Sequence, residues 1–578
     1  MNGNDVVAGG AIVRALLSAG LAIAVIVATG APQGSDTDSG WQFKAVQQYI
    51  DGSSPSFNTL VGPDPEDLSR NRTRWISWWA PGSGLLVWSL MRLHLTLGGA
   101  IRVIAIVCFL AGSVGWSVWI DRFLLPGWVK ALLGMSIPWF YYAHHNALFF
   151  YGAEALLFAA VPWALLLAVE CWDCGSRARG SVLRAPVLKA SVTGVSLGLL
   201  YVLKYSGVFV AIGVLTYIVL RAVRPQCGPG GDSLCFRRFQ CAGACAVACL
   251  LPIVLLNLVN QLHAGHMNLV AASPSFHLRW TAWLFAVSSP ALAVASAEGP
   301  LRHVLAQLSL PGGSELWLGL AGFPGGAVLL FLMCRRGASH RHALMSCCVL
   351  GASLTCAVVV WTISDGVSYE SRHIAGASIA VLPYALERAW GLRTSSRRLQ
   401  MLLAVCGICY IVLPWSYGVV SVVAKAARQA RQNSGPSRVY NPLLARNDVT
   451  YARSMLVEGF DPRSDLWYVT HPVAGLDLPG RMLIRRADST PIEKLREEAF
   501  RTSRPVRVRL VLPAGLENDG KADVIRRSFP GAVEWASCPT DGATRCWVAW
   551  VGTSAGLTRS GKESSAWLAA GGSAATDE

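Results

Sequence analysis

Long apolar stretches recur along the chain, separated by short basic segments. A helix needs about 20 apolar residues to cross the hydrocarbon core of a bilayer. Stretches of that kind fall at 10–30, 100–120, 126–143, 147–170, 240–262, 316–334, 343–363, 374–391 and 401–422. The stretch 187–222 is about twice the required length and reads as a hairpin of two short spans. The first stretch resembles a signal peptide, with Arg14 near its start and small residues at 29–31. Its apolar run exceeds that of a signal, so it reads as an uncleaved first helix.

Basic residues set the expected orientation. Arg177, Arg179, Arg184 and Lys189 crowd one loop, and Arg221, Arg224, Arg237 and Arg238 a second. Arg335, Arg336 and Arg341 mark a third, and Arg388, Arg393, Arg397 and Arg398 a fourth. Lys and Arg gather in cytoplasmic loops, so all four are expected inside, with an even number of crossings between consecutive loops. Segment 280–298 would break that parity if it crossed, and Ser288, Ser289 and Pro290 interrupt it. It is expected as an interfacial or re-entrant piece of an external loop, 263–315. The pattern predicts an α-helical polytopic membrane protein of about 11 spans. It would lie multi-pass in the plasma (inner) membrane, with its N-terminus cytoplasmic and its C-terminal domain extracytoplasmic.

Between the first two spans, residues 31–99 form a large external loop. Its segment 39–51 puts Trp41, Ala45 and Tyr49 on one helical face with Ile50 beside it. That is the spacing of an amphipathic helix lying on the membrane surface, and Gly52 ends it. Pro and Asp residues at 62–67 read as a turn region. A further interfacial helix is expected to start near Pro81, with Trp75, Trp78 and Trp79 at headgroup level. Beyond 422 the pattern becomes α/β. Thr490-Pro491-Ile492-Glu493 is a capping box with proline at the first helical position, which predicts a helix over 491–502. Strands are expected at 466–471, 505–512 and 545–551, with a turn signal at Asp541-Gly542. The expected domains are 1–422, transmembrane and including the loop 31–99; 423–557, a small extracytoplasmic α/β domain; and 558–578, a disordered tail rich in Gly, Ser and Ala.

Composition agrees with the apolar pattern: 15% of residues are charged, against about a quarter in soluble domains. The net charge of +16 follows from the basic cytoplasmic loops, and no basic stretch carries interleaved aromatics, so nucleic acid is not an expected partner. Most of the 16 cysteines lie in apolar spans and act there as small hydrophobes. Cys171 and Cys174 form one C-x-x-C, without a second pair at zinc-site spacing. No cofactor is expected. Asp64, Glu66 and Asp67 have the oxygen chemistry for a divalent cation, but a solvated turn is the favoured reading.

Three groups of residues have chemistry in prospect. Asp36 and Asp38 follow the first span, ahead of an amphipathic helix. A carboxylate held there, at the boundary of water and lipid, suits a general base acting on a lipid-linked substrate. Glu154 sits near the start of a span, and an ionisable group in a membrane segment is a functional candidate. A hydrogen-bonded or snorkelling glutamate is the competing reading. Arg102, Lys204 and Arg372 are predicted at outer membrane ends, against the positive-inside bias. Snorkelling accounts for any one of them; three at one face favour phosphate, which Arg clamps through two nitrogens and Lys meets as a point charge.

The segment 36–52, DTDSGWQFKAVQQYIDG, carries an acid after the first helix, then an amphipathic helix ending in Gly. With WWAPGSGLLVWSL at 78–90, LGGAIRVIAIV at 97–107, GLLYVLKYSGVFV at 198–210 and YESRHIAGASIAVLP at 369–383, this order resembles the GT-C superfamily of membrane glycosyltransferases. That superfamily includes protein mannosyltransferases, aminoarabinose transferases and oligosaccharyltransferase catalytic subunits. The resemblance covers roughly residues 10–422. Many relatives have Asp-Glu where this chain has Asp38-Ser39, and His-Pro-Pro where it has Trp79-Ala80-Pro81, which leaves open whether Asp36 or Asp38 is the base.

The resemblance implies an inverting glycosyltransferase taking a sugar from a polyprenyl-phosphate donor at the extracytoplasmic face. A glycan, lipid or protein would be the acceptor, with membrane lipids around the protein. Asp38, Asp36 and Glu154 would be catalytic, and Arg102, Lys204 and Arg372 would bind the lipid phosphate. A transporter or flippase of lipid-linked saccharides, or a non-catalytic membrane assembly protein, is the alternative. Transporters favour internal repeats and midplane sites; this chain has no repeat, and its charged candidates gather at one face.

Overall fold

The computed structural model describes residues 3–28, 34–35, 37–139, 149–150, 153–177, 184–223, 231–272, most of 274–308, 313–334, 340–364, 367, 369–390, a few positions between 416 and 439, 456–485, 487, 490–513, 515–538 and 544–552. The described chain forms two compact units. One comprises Met1–Gly30, Ser77–Leu86 and Arg102–Ala427; the other comprises Ala31–Ile76, Val87–Ile101 and Arg428–Glu578. The division differs from the boundary expected at 422, because most of the loop 31–99 groups with the C-terminal domain. The expected tail and nearly all of the expected span 401–422 lie outside the described residues.

The longer helices among the described residues are α1 (Gly3–Ala28), α2 (Thr37–Ile50), α3 (Gly82–Met91), α4 (Leu97–Asp121), α5 (Gly127–Ser136), α6 (Glu154–Arg177), α7 (Arg184–Leu203), α8 (Gly207–Val223), α9 (Gly231–Ala264), α10 (Trp280–Val294), α11 (Glu298–Leu308), α12 (Gly313–Cys334), α13 (Arg341–Ile363) and α14 (Ala375–Trp390). Among the described residues, six are long and apolar enough to cross a membrane: those containing Leu97–Asp121, Glu154–Cys171, Pro186–Leu203, Phe236–Ala264, Glu315–Cys334 and Arg341–Ile363. The chain is a multi-pass helical membrane protein. Shorter apolar helices include Ile12–Ala24, Gly207–Val223 and Trp280–Val294. The segment expected to span at 126–143 is only the ten-residue α5 and a 3-10 turn, Ile137–Trp139, before the chain leaves the described residues.

Helices attract one another in lipid through close packing rather than the hydrophobic effect, so small residues gather where backbones meet. Gly194 and Gly198 on α7 face α9, where an added Cβ would stand 2.2 Å from Cys245 O and 2.4 Å from Cys249 O. On α12, Gly326 lies so close to α10 that a Cβ would meet Val287 O at 1.8 Å. The expected interfacial piece is therefore an apolar helix, α10, packed into the helical core along most of its length. Ser288 and Ser289, which interrupt its apolar run, return their hydroxyls to the backbone of the preceding turn.

The second unit is built on a five-stranded sheet. Its strands follow a hairpin of β1 (Thr59–Asp64) and β2 (Asp67–Trp75). They are β3 (Asp465–Val469), β4 (Arg481–Ile484), β5 (Val506–Pro513), β6 (Ala536–Cys538) and β7 (Thr544–Val551), in the order β4-β3-β5-β7-β6. β3 runs parallel to β4 and β5, and β7 antiparallel to β5 and β6, with Cys538 opposite Cys546. β4 and β6 fall outside the strands expected from sequence. The helix expected over 491–502 is only Ile492–Arg496. It ends early because Phe500 is drawn into the core against Tyr468 and Phe529, with its amide donating to Ser528 O.

The helix expected on the membrane surface is α2, and it is buried instead. Phe43, Ala45 and Val46 are fully covered, and the polar Gln42, Lys44 and Gln48 are also buried. Lys44 Nζ donates to Gly475 O at 2.9 Å and Leu478 O at 3.1 Å, and Gln47 Nε2 to Leu476 O at 3.1 Å. Those carbonyls of the C-terminal domain, rather than headgroups, receive the polar face of α2. The turn expected at 62–67 is the tip of the β1–β2 hairpin.

Candidate functional site

The helical unit brings together three of the residues singled out from sequence. Glu154 opens α6, Lys204 follows the last residue of α7, and Arg372 lies in the 3-10 turn Ser371–His373 ahead of α14. Lys204 Nζ bonds Glu154 Oε1, and an Arg372 terminal nitrogen stands 3.3 Å from the same oxygen. The side chains retain 7% exposure at Glu154 and 14% at each cation. Arg372 Nε also pairs with Glu370, whose side chain is 27% exposed. Two cations and two carboxylates thus form a nearly buried, charge-balanced knot, and its outer member is Glu370.

Local sequence explains how the knot is held. The α7–α8 connection is tight: Gly207 N donates to Lys204 O at 2.8 Å, and a Cβ at Gly207 would lie 2.3 Å from Leu200 O. Glycine there lets Lys204 sit at the very end of α7. Tyr205 turns the other way. Its hydroxyl reaches Ser77 O at 2.7 Å and accepts from Asn260 Nδ2 at 2.9 Å, while Ser77 Oγ lies 2.5 Å from His266 Nε2. On the Arg372 side, Glu298 Oε2 accepts from Ser371 N at 2.8 Å and from the Ser371 hydroxyl. Arg302 Nε donates to Glu298 Oε1 at 3.0 Å and its terminal nitrogen to Tyr369 O. Buried polar groups paired in this way hold one geometry.

Behind the knot is a cavity of about 30 Å3, lined by Glu154, Ser206, Arg372 and His373 among apolar side chains. It has room for a water and not for a phosphate. The buried Ser206 hydroxyl makes no hydrogen bond among the described residues.

The other candidates are not among the described partners of this knot. Arg102 is on α4; the described ion pairs of Glu154 are with Lys204 and Arg372. Asp36 lies outside the described residues, and Asp38 is the second residue of α2, in the other unit. Among the acids considered for a cation, Asp67 is committed elsewhere. It accepts from Ser69 Oγ at 2.7 Å, Ser503 N at 2.9 Å and Ser503 Oγ at 2.7 Å, bonds that hold its carboxyl well below the usual range. Among the described residues no group of three or more His, Cys, Asp or Glu is placed to hold a metal. The sequence did not single out Tyr205, Asn260, His266, Glu298 or Ser371. The signals available were the Lys-Tyr-Ser-Gly run at 204–207 and the i,i+4 pairing of Glu298 with Arg302.

No protein-family model matches the chain, and no curated protein does. Solved structures do. A crystal structure of ArnT from Cupriavidus metallidurans bound to undecaprenyl phosphate is 12% identical, with a TM-score of 0.49. The apo state of the same protein is 13% identical, with a TM-score of 0.49. Each comparison covers 92% of this chain and 97% of the other. At that identity no residue's role is carried over from them.

Proposed function

We propose that this chain is a membrane glycosyltransferase of the GT-C type, transferring a sugar from a polyprenyl-phosphate donor to an acceptor at the extracytoplasmic face of the plasma membrane. The observation that carries the reading is the convergence of Lys204 and Arg372 on Glu154. An arginine and a lysine held at the ends of apolar helices suit a lipid-linked phosphate, the first through paired nitrogens and the second as a point charge. Glu154 then holds the cations in place rather than taking a proton, because its carboxylate is committed to both. The donor phosphate would displace Glu370, the most exposed member of the knot, from Arg372.

In the transfer, Asp38 or Asp36 takes the proton of an acceptor hydroxyl. The hydroxyl oxygen attacks the anomeric carbon from the face opposite the phosphate. The bond from that carbon to the phosphate oxygen breaks, and its electron pair leaves with the polyprenyl phosphate. Lys204 and Arg372 meet the charge that develops on the phosphate, where preorganised cations contribute most. The configuration at the anomeric carbon is inverted. Arg102 remains a further candidate for the lipid phosphate.

The test is a transfer assay in membranes with a panel of polyprenyl-phosphate sugars. Arg372→Ala and Lys204→Ala are expected to raise the KM for donor, and Asp38→Asn to abolish turnover while the protein stays inserted. Loss of stability alone in either cation variant would make that residue an anchor and not a ligand. Turnover by both Asp38→Asn and Asp36→Asn would remove the base. Cysteine labelling is expected to place residues 36–75 and the domain after 423 outside, with loops 171–189 and 223–239 inside.

A further inference from the structure

A second polar cavity lies wholly within the sheet-containing unit. Its volume is about 480 Å3, inside the range typical of small-molecule sites. The C-terminal half of α2 forms one wall with Lys44, Gln47 and Asp51; Asn71 of β2 and Asp477 and Arg481 of the C-terminal domain form others. Leucines at 97, 476 and 478, with Met91 and Pro479, supply apolar surface between them.

Among the described residues the charges lining this cavity balance, with Lys44 and Arg481 against Asp51 and Asp477. That balance argues against a phosphate or a nucleotide, which need a surplus of cations, and against a metal ion, which needs a surplus of carboxylates. The groups still available are of both kinds. Gln47 Oε1 is buried with no hydrogen-bond partner among the described residues, although its Nε2 donates to Leu476 O. Arg481 uses Nε on Asn71 Oδ1 and one terminal nitrogen on the carbonyls of Leu68 and Arg70. Its second terminal nitrogen has no hydrogen bond among the described residues. Lys44, by contrast, is committed to two carbonyls. A buried amide oxygen left unpaired costs the full desolvation of an acceptor, and a ligand hydroxyl is the group that relieves it.

We infer that this cavity is a saccharide-binding site, in which Gln47 and Asp51 accept from ligand hydroxyls, Arg481 donates to a ligand oxygen, and the leucines and Pro479 meet the ring's C–H face. A neutral polyhydroxylated ligand matches a balanced wall that offers both acceptors and donors and is broken by apolar surface. The inference goes beyond the transferase reading and does not need it. If that reading holds, the site is placed to retain an acceptor glycan, because Asp38 stands nine residues before Gln47 on the same helix, about 14 Å along its axis.

The test is saturation-transfer NMR on the full-length protein in detergent micelles, with mannobiose, galactobiose and arabinobiose as probes and no lipid donor. At least one disaccharide is expected to show transfer. Gln47→Met, which keeps the size of the side chain and removes its acceptor, should weaken that binding about tenfold, the scale of one lost hydrogen bond to a buried group. Asp51→Asn, at an exposed position, should weaken it in the same direction. The inference is overturned if no disaccharide gives transfer, if binding is unchanged in both variants, or if inorganic phosphate displaces the sugar. A failed donor-transfer assay beside intact sugar binding would count against the transferase and leave this site standing.

Discussion

Each unit contains one carboxylate held between two cations, and the two knots differ in what surrounds them. In the sheet unit Asp465 is fully buried, with Arg507 Nε at 2.6 Å and Arg509 Nε at 3.0 Å. Asp461 N and the Ser464 hydroxyl also reach it. Arg509 is itself capped by the faces of Phe460 and Trp467, 5.7 and 5.6 Å from its guanidinium carbon, and donates to Leu456 O. In the helical unit Glu154 meets Lys204 and Arg372, but Arg372 leans on the more exposed Glu370 and borders a water-sized cavity. The first knot is closed and has no partner to exchange. The second keeps one partly exposed partner, Glu370. Burial of a charged triad does not by itself mark function; under the proposed function it is the more exposed member that gives way to the donor phosphate.

Breaking the closed knot has the largest expected effect. Asp465→Ala leaves Arg509 buried without its counter-charge, and losing one partner of a buried pair costs about 3–5 kcal/mol. Thermal unfolding of the purified protein should show the sheet unit melting early. A variant that melts like the parent and loses only activity would reverse the comparison, making Asp465 the functional knot.

Next is the packing that holds the helical unit. Gly326→Leu places a side chain where even a Cβ would stand 1.8 Å from Val287 O, so α10 and α12 must separate. Overpacking of this kind costs about 3 kcal/mol at the upper end of its usual range. The expected outcome is reduced thermal stability in detergent, with the sheet unit's transition unmoved. An unchanged helical transition would mean that α10 is not held by α12.

Third is the open knot. Glu154→Gln keeps the shape and removes the charge that gathers Lys204 and Arg372. The expected loss in kcat/KM for lipid donor is about 100-fold, or about 2.7 kcal/mol, with thermal stability near the parent's. Loss of stability with kinetics intact would make this knot structural like the other.

How much of this was legible in the sequence varies by residue. Glu154, Lys204 and Arg372 were each visible as ionisable groups at the ends of apolar runs, where their cost demands a reason. Their meeting on one carboxylate was not, because helical periodicity says nothing about which helix ends adjoin. The strand β2 escaped notice because its residues Ser69–Arg74 have no apolar alternation. It is fixed by contacts distant in sequence, Arg481 on its backbone and Asp67 on Ser503. The helix α2 was legible as a helix but not as a buried one. Its covered residues include Gln42, Lys44 and Gln48, and polar residues are buried when the partners exist in the fold.

The smallest expected effect concerns that buried lysine. Burial lowers the pKa of Lys44 from 10.5 to about 8, against the pull of Asp51 and Asp477. Below about pH 8 the side chain is charged in both folded and unfolded chains, and the folded unit bears the full cost of burying the charge. Between about 8 and 10.5 the unfolded chain keeps a proton that the folded chain has shed, so stability rises with pH across that window. At about 1.4 kcal/mol per pKa unit, moving from pH 8 to pH 9.5 gains at most about 2 kcal/mol from this group. Lys44→Met removes the titration, so the sheet unit's melting temperature should gain less between those two values in the variant than in the parent. Equal gains in both proteins would show that Lys44 keeps its ordinary pKa, and that its two carbonyl partners satisfy the ammonium as well as water does.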